Sequence, residues 1–387
     1  MNRIRSAAVV GAITLALYAI VDWGYGRLSP LKPYAANPER LTASAYAKEP
    51  YFSEAFLAES YTQPGGWDTI SGTRLVVPRE YHGRHFNVDV LPPTNLPYRR
   101  TINSAPARKG TCIVLLLGGS TVYDSEVPDD LTVASQLAKL LAERGSQPYY
   151  VLNAGVSSVN TTQERERLDY ELGKGLRPDV VLSLDGINDV NQGVYFGNPS
   201  GIMFSGEQRN HAKEWLKSVL PLNIYRALRT QAVVEKSRTV PGHLHDPAKV
   251  AGLAQATADV YAGNVMGMHA SSLKYGFRFY ALLQPQFYST TYTYPADDLG
   301  EIKTQAERAL PQVHAAFAEG YKALRSVVPE LRAKGVQAYD ATALFRDKRE
   351  SIFLDMAHVN SIGNRIIAQW LAQLILSNAD SASASSR

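Results

Sequence analysis

Short apolar runs alternate along the chain with longer stretches in which apolar residues recur every three or four positions. An apolar run of four to seven residues is typical of a strand buried on both faces, and the longer period is typical of an amphipathic helix. The runs predict five buried strands, at Cys112–Leu117, Tyr149–Leu152, Val180–Leu184, Arg278–Leu283 and Val336–Tyr339. Strands that alternate with helices favour an α/β fold with a parallel sheet.

The helical patterns between these strands have recognisable starts and ends. A first helix is predicted at Asp130–Arg144, ended by Gly145. Thr161-Thr162-Gln163-Glu164 has the form of a capping box and opens a second helix that runs to about Gly173. A last helix carries its apolar residues on one face between Ile362 and Leu374. The arrangement predicts a doubly wound (flavodoxin-like) five-stranded parallel sheet with helices on both faces.

The N-terminus, residues 1–28, reads as a membrane anchor or signal segment. Arg3 and Arg5 precede the apolar stretch Ala7–Val21, which Asp22 ends. That stretch is short for a spanning helix, which needs roughly 17–25 residues, although Trp23 could extend it at the interface. A cleaved signal peptide is the alternative. Both interpretations place the body of the protein outside the cytoplasm.

Three further segments flank or interrupt the core domain, which we assign to residues 110–376. Residues 29–109 are rich in Pro, Gly and Tyr and predict an irregular N-terminal extension packed on the core, with short strand-like pieces at Arg74–Val77 and His85–Val90. A long insertion, about 191–275, separates the third and fourth strands and contains helical patterns. The Ser/Ala-rich end, 377–387, predicts a disordered tail.

The amino-acid composition argues against some classes of binding partner and metal site. The 387 residues include 40 basic and 36 acidic side chains, a net charge of +4, and no basic block typical of a nucleic-acid-binding protein. Cys112 is the one cysteine, so the chain can form no internal disulfide and no cysteine-based zinc site. Its position in an apolar strand predicts a buried structural thiol.

Candidate catalytic residues follow the predicted strands. In doubly wound sheets ligands bind beyond the carboxyl ends of the strands. Ser120 follows the first strand after two glycines, and Gly155 follows the second. Asn188 follows the third, and Asp355 and His358 lie in the loop after the fifth. A serine, a glycine amide, an asparagine amide and an Asp/His pair are the components of an acyl-transfer site.

These residues resemble the SGNH (GDSL-type) hydrolase superfamily. The four blocks occur in the family's order as Gly118-Gly119-Ser120, Gly155, Gly186-Ile187-Asn188-Asp189 and Asp355-Met356-Ala357-His358. The family has Asp before the serine where this chain has Gly119. The resemblance implies that the Ser120 N–H, the Gly155 N–H and the Asn188 amide form an oxyanion hole.

Nucleophilic catalysis gives the other residues their roles. Ser120 needs a base to accept its proton, and His358 is the candidate base. Asp355 lies three residues earlier and could orient the imidazole.

The candidate residues also have simpler interpretations. Asn188-Asp189 could serve simply to cap a helix. His243, His245 and Asp246 could be read as metal ligands. We expect no metal and no cofactor, and no residue is assigned to substrate binding.

The sequence therefore predicts a serine ester hydrolase, inner-membrane anchored with its catalytic domain in the periplasm, or secreted if the N-terminus is cleaved. Its expected substrates are acylated small molecules or glycans, with acetyl groups on envelope or exported polysaccharide the natural target. An O-acyltransferase with the same triad, or a catalytically silent glycan-binding scaffold of an export complex, are the alternatives. Nothing in the sequence indicates an oligomeric state.

Overall fold

The computed structural model describes residues 17–24, 49–53, 56, 59–60, 67–202, 240–287 and 311–385, with side chains as far as residue 377. The chain forms two compact units, Met1–Pro38 with Glu207–Val240, and Glu39–Gly206 with Pro241–Arg387. In the first unit the described residues are 17–24, a short helix, and 240. No helix in the described ranges is long and apolar enough to cross a membrane. Most of the apolar stretch Ala7–Val21 lies outside those ranges.

The second unit contains two β-sheets. The described residues contain ten strands, in chain order β1 (Trp67–Thr69), β2 (Val76–Pro78), β3 (Tyr81–His82), β4 (Asn87–Leu91), β5 (Leu96–Arg99), β6 (Cys112–Gly118), β7 (Tyr149–Asn153), β8 (Val180–Asp185), β9 (Arg278–Leu283) and β10 (Gln337–Asp340). β1 and β2 form a small antiparallel pair. The other eight form one sheet in the order β10-β9-β8-β6-β7-β5-β4-β3.

The five strands predicted from the apolar runs form the parallel part of the large sheet. Read along the sheet, they lie in the order β7-β6-β8-β9-β10, and all neighbours among them pair in parallel. This is the 2-1-3-4-5 order of flavodoxin-like sheets, so the predicted doubly wound fold is confirmed.

The sheet is larger than predicted because residues 81–99 extend it. β5, β4 and β3 add in antiparallel fashion beside β7, where Arg99 pairs with Asn153. β4 overlaps the strand-like piece predicted at His85–Val90, whereas β3 and β5 are shorter and lie next to turns, so their apolar period is too brief to predict them. Within the segment predicted to be irregular, this part is therefore ordered sheet.

Seven α-helices lie in the described part of the second unit: α1 (Ser120–Tyr123), α2 (Val133–Arg144), α3 (Thr161–Gly173), α4 (Ile187–Val190), α5 (Pro247–Tyr275), α6 (Pro311–Ala333) and α7 (Ser361–Ser385). α2 and α7 pack on one face of the sheet, where Leu137, Leu141 and Leu371 are fully buried against β6 and β8. α3, α5 and α6 pack together on the opposite face. Each apolar strand is thus covered on both sides.

Several helix ends differ from the predicted ones. α2 begins at Val133, because residues 129–131 form a 3₁₀ turn and Thr132 caps the helix by accepting the Ser135 N–H. Asn160, rather than Thr161, caps α3. α7 continues through Ser385, although the composition of 377–387 predicts disorder; its alanines are strong helix formers. Helix α5 forms the C-terminal part of the predicted insertion. Residues 203–239 of that insertion lie outside the described ranges.

Candidate active site

Ser120 is the first residue of α1 and follows β6 through Gly118 and Gly119. The first N–H groups of a helix have no partner inside it, so the Ser120 N–H is directed out of the helix start. α1 ends after one turn at Asp124, whose left-handed backbone (φ 65°) lets its N–H donate to the Ser120 carbonyl at 2.7 Å. The half-buried serine therefore presents its hydroxyl and its amide at the carboxyl edge of the sheet.

Gly155 lies directly against the backbone of α1. A β-carbon on residue 155 would come within 2.3 Å of the Tyr123 nitrogen, so only glycine fits there. The neighbouring Asn153 side chain ties β7 to α1, since its Nδ2 donates to the Val122 carbonyl at 2.8 Å. Asn153 Oδ1 accepts the Gly155 N–H at 3.0 Å. The N–H that the family resemblance assigns to an oxyanion hole thus already has a partner in this structure.

Asn188 lies on α4, directly after β8. Its chain enters α4 through Gly186, whose φ of +125° and close approach to Leu283 require glycine. Asn188 Nδ2 donates one hydrogen to the Val159 carbonyl at 2.8 Å, which leaves the second hydrogen of the amide for another acceptor. A β-carbon on Gly119 would be only 2.2 Å from this Nδ2 atom. The structure therefore brings the Asn188 amide onto the backbone next to Ser120.

Asp355 and His358 share a small hairpin between β10 and α7. Phe353 and Val359 form a bridge across it, and the Leu354 N–H donates to the His358 carbonyl at 2.9 Å. Asp355 Oδ2 lies 2.8 Å from His358 Nδ1, and Asp355 Oδ1 accepts the backbone N–H of His358 at 2.8 Å. The carboxylate therefore fixes both the ring and the loop that carries it. A carboxylate on Nδ1 favours the tautomer in which Nε2 is free of its proton and can act as a base.

Among the contacts of the described residues, no hydrogen bond joins the Ser120 hydroxyl to His358. Catalytic hydrogen bonds are often long before substrate binds, so this separation is compatible with a Ser–His pair. The carboxylate of Glu126 also lies near the ring, with Oε1 4.0 Å from His358 Nε2.

Buried acids lie on both sides of this site. Beneath α4, burial raises the pKa of Glu164, Asp185 and Asp189, the last to about 7. The Ser183 hydroxyl donates to Asp185 at 2.6 Å, and Thr161 donates to Asp189 Oδ1. Carboxyls at this depth remain protonated to higher pH because ionisation would leave charge in a medium of low dielectric. They therefore form a buried, hydrogen-bonded group of carboxyls that joins α3, α4 and the end of β8.

Asp124 is the buried acid next to Ser120 and Glu126. Burial, together with the smaller effect of the nearby charge of Glu126, raises its pKa to about 8, although the hydrogen bond from the Val133 N–H stabilises the ionised form. Asp124 Oδ2 accepts that N–H at 2.9 Å and the Asn364 amide at 2.8 Å. It thereby links the end of α1 to the start of α2 and to α7, the helix that follows His358.

A glutamine and a backbone hydrogen bond complete the edge of the sheet. Gln284, directly after β9, donates to the hydroxyl of Thr121 at 3.0 Å, beside Ser120. The Phe287 N–H donates to the Met356 carbonyl at 3.0 Å, which joins the loop after β9 to the Asp355–His358 hairpin. Gln284 is buried next to α1.

The other candidates from the sequence have structural contacts. His243 Nε2 lies 3.0 Å from the Val194 carbonyl, and Asp246 caps α5 by accepting two backbone N–H groups. Within the described residues, no group of three or more His, Cys, Asp or Glu side chains is arranged to hold a metal ion. Asp340 accepts the Thr342 N–H. Cys112 is confirmed as a buried thiol, with its pKa raised to about 11 by desolvation.

Sequence reasoning missed Glu126, Asp124 and the pairing of Glu164 with Asp185. One signal was available: four acids lie within Asp124–Asp130, directly after the Gly-Gly-Ser turn. Glu164 was interpreted as the end of a capping box. Its side chain instead points into the core, where its Oε2 lies 3.2 Å from the Ser183 hydroxyl oxygen.

The chain matches no protein-family model and no curated protein. Similar solved structures include a member of the lipolytic protein G-D-S-L family from Veillonella parvula, 10% identical, covering 69% of this chain and 98% of its own, with a TM-score of 0.39. A carbohydrate acetylesterase from Sinorhizobium meliloti is 13% identical over 69% of this chain and 99% of its own, with a TM-score of 0.37. An acetylxylan esterase from Geobacillus stearothermophilus is 12% identical over 67% and 92%, with a TM-score of 0.35.

Proposed function

We propose that this protein is a carboxylic ester hydrolase that acts through Ser120, His358 and Asp355. The observation that supports it most is the Asp355–His358 pair, 2.8 Å apart, in a loop after the last strand of a sheet whose first core strand ends at Ser120. Such a pair supplies a base of fixed orientation, and a serine at a helix start supplies a hydroxyl beside a free amide.

The proposed reaction has two steps. His358 Nε2 accepts the proton of Ser120 as the serine oxygen attacks the ester carbonyl, and the same proton is given to the departing alcohol. The Ser120 N–H and the free hydrogen of the Asn188 amide then stabilise the oxyanion. The Gly155 N–H would be a third donor only if the Asn153 carboxamide turned away from it. Water hydrolyses the acyl-serine in the second step.

We further propose acetyl groups on envelope or exported polysaccharide as the substrate. The support comes from the sequence: Arg3 and Arg5 before the apolar stretch Ala7–Val21 favour a body outside the cytoplasm, either anchored or secreted. The release of free acetate from acetylated polysaccharide by the full chain measures this directly. Activity on small acetyl esters without release from any acetylated glycan would contradict the glycan assignment and leave the esterase assignment in place.

Substitution of Ser120 tests the proposed chemistry. We expect Ser120→Ala to lower the hydrolysis of p-nitrophenyl acetate by at least about a thousandfold, because the variant has no nucleophile to acylate. Its circular dichroism and melting temperature should match those of the parent, since the side chain is half-buried and small. If the folded variant hydrolysed the ester at the parental rate, Ser120 would not be the nucleophile.

A further inference from the structure

Asp124 closes the short helix α1, which begins at Ser120. Its N–H donates to the Ser120 carbonyl at 2.7 Å, so one hydrogen bond joins the two ends of this four-residue helix. Asp124 is buried, and its Oδ2 accepts the Val133 N–H at 2.9 Å. The same oxygen accepts a hydrogen of the Asn364 amide at 2.8 Å. The position of the Asp124 carboxyl is therefore tied to that of the serine turn.

Asn364 belongs to the element that carries His358. It lies in the first turn of α7, where its N–H donates to the Asn360 carbonyl at 3.0 Å. Asn360 also closes the hairpin of His358. Its N–H donates to the Ile352 carbonyl at 2.9 Å, and its side-chain amide donates to the Ser351 carbonyl at 2.7 Å. The hairpin and the start of α7 thus form one hydrogen-bonded unit.

The hydrogen bond between Asp124 and Asn364 connects these two units, although the two residues are 240 positions apart in sequence. Asn364 is fully buried, and its Nδ2 donates a second hydrogen to the Leu131 carbonyl at 3.1 Å. Because both hydrogens of the amide are used, the plane of the carboxamide is fixed. A hydrogen bond at this depth is stronger than it would be in water, since the local dielectric is low. It therefore holds the start of α7 at a set distance from the end of α1.

We propose that Asp124 and Asn364 are positioning residues that hold His358 within reach of the Ser120 hydroxyl. The inference rests on the proposed function, in which His358 Nε2 accepts the proton of Ser120. Proton transfer requires these two atoms to come within about 2.6–3.2 Å of each other. A displacement of about 1 Å can lower the rate by about a hundredfold. Loss of the link would leave the Asp355–His358 pair and the serine turn each intact and would change how they are placed relative to each other.

Steady-state hydrolysis of p-nitrophenyl acetate by the full chain and its variants tests this role. Asn364→Ala removes the donor and places a strong helix former in α7, so the variant should fold. We expect its kcat to fall at least about tenfold while KM changes by less than about twofold, because the link places the base and not the substrate. Asp124→Ala should show the same division between kcat and KM. The double variant should lose little more than Asp124→Ala alone, since both substitutions remove one hydrogen bond.

A conservative replacement separates the hydrogen bond from the charge. Asp124→Asn cannot ionise, but it keeps an acceptor oxygen for the Asn364 amide and the Val133 N–H. Its kcat should stay within about threefold of the parental value, because the acceptor is retained. If folded Asp124→Asn were as slow as Asp124→Ala, the hydrogen bond to Asn364 would not be what Asp124 contributes.

Covalent labelling shows whether the link acts through the base. The rate at which a serine-reactive fluorophosphonate labels Ser120 should fall in Asn364→Ala by about as much as kcat does. In a His358→Ala background, Asn364→Ala should slow labelling little further, because the base that it positions is already absent. A further loss of full size in that background would overturn the proposal.

Thr132→Val is the matched control for stability. Thr132 lies at the start of α2, which Asp124 also holds, and its hydroxyl accepts the Ser135 N–H. The variant should melt about 2–4 °C lower than the parent and keep parental kcat, since it removes a helix cap and leaves the link in place. Parental kcat in folded Asn364→Ala, or losses of kcat that follow melting temperature alone across all variants, would overturn the role of the pair. If the parent formed no adduct on Ser120, the proposed function itself would fail, and the parent alone reports that result.

Discussion

Because residue 119 is a glycine and has no β-carbon, the Asn188 amide can lie against the backbone at that position. Any larger side chain would overlap Asn188 Nδ2, which approaches the position of that missing carbon to 2.2 Å. The sequence shows Gly119 as a departure from the Asp of the SGNH pattern, but it does not show why, because Asn188 comes from a different strand end. The same limit applies to Glu126 and His358, which meet only when β6 and the hairpin after β10 lie at one edge.

We expect Gly119→Ala to lower kcat for ester hydrolysis by about a hundredfold, comparable to the loss of one oxyanion donor. The new methyl group would displace the Asn188 amide, a flexible group, so the melting temperature should change little. Gly252→Ala, on the exposed surface of α5, is the control and should retain parental kcat.

The effects of substitutions at Gly119 and Asn188 on kcat should also be coupled. In an Asn188→Ala background, Gly119→Ala should cause little further loss, because the amide that it displaces is already absent. Independent, additive losses would show that Gly119 does not act through Asn188.

At the scale of elements, three buried carboxyls support the helix that carries Asn188. Glu164 on α3, Asp185 at the end of β8 and Asp189 on α4 all have raised pKa values because of burial. The sequence predicted α3 and the end of β8 but interpreted Glu164 as a capping residue. Local spacing cannot distinguish a capping glutamate from one that turns inward to meet a strand, since the partner is distant in sequence. Asn160 takes the capping role instead.

Stability should fall as the pH rises through the pKa of Asp189. Its pKa is about 7 in the folded state and about 3.8 in an unfolded chain, so the folded state binds more protons between these limits. Asp189 therefore contributes its full stabilisation to the folded state below about pH 4. This stabilisation is lost as the pH rises through about 7, an effect of about a few kcal/mol on the free energy of unfolding. Asp189→Asn retains Oδ1 for the hydrogen bonds from Thr161 and cannot ionise.

The melting temperature of Asp189→Asn should therefore decline less than that of the parent between pH 5 and pH 9, as measured by thermal denaturation. Asp259→Asn, an exposed acid on α5, should keep the parental slope. A parental slope in Asp189→Asn would mean that this carboxyl does not titrate in that range in the folded protein.

At the scale of the molecule, the parallel sheet was the most predictable feature and its antiparallel extension the least. The five core strands are buried on both faces, so their apolar runs are continuous and identify them. The strands β3, β4 and β5 belong to the sheet only because β5 pairs with β7 at Arg99 and Asn153. The local pattern indicated a strand near β4 at His85–Val90, but it could not show that this strand joins the large sheet. The candidate site followed from topology, because parallel strands bring their carboxyl ends to one edge, whereas Asp124, Glu126 and Gln284 depend on side-chain packing across that edge.

The reactivity of Ser120 is the central claim, and covalent labelling tests it most directly. The full chain is incubated with a serine-reactive fluorophosphonate, digested, and mapped by mass spectrometry. We predict a single adduct on Ser120, absent in Ser120→Ala and formed much more slowly in His358→Ala, because the serine then lacks its base. No adduct on the folded parent, or an adduct that persists in Ser120→Ala, would contradict the account.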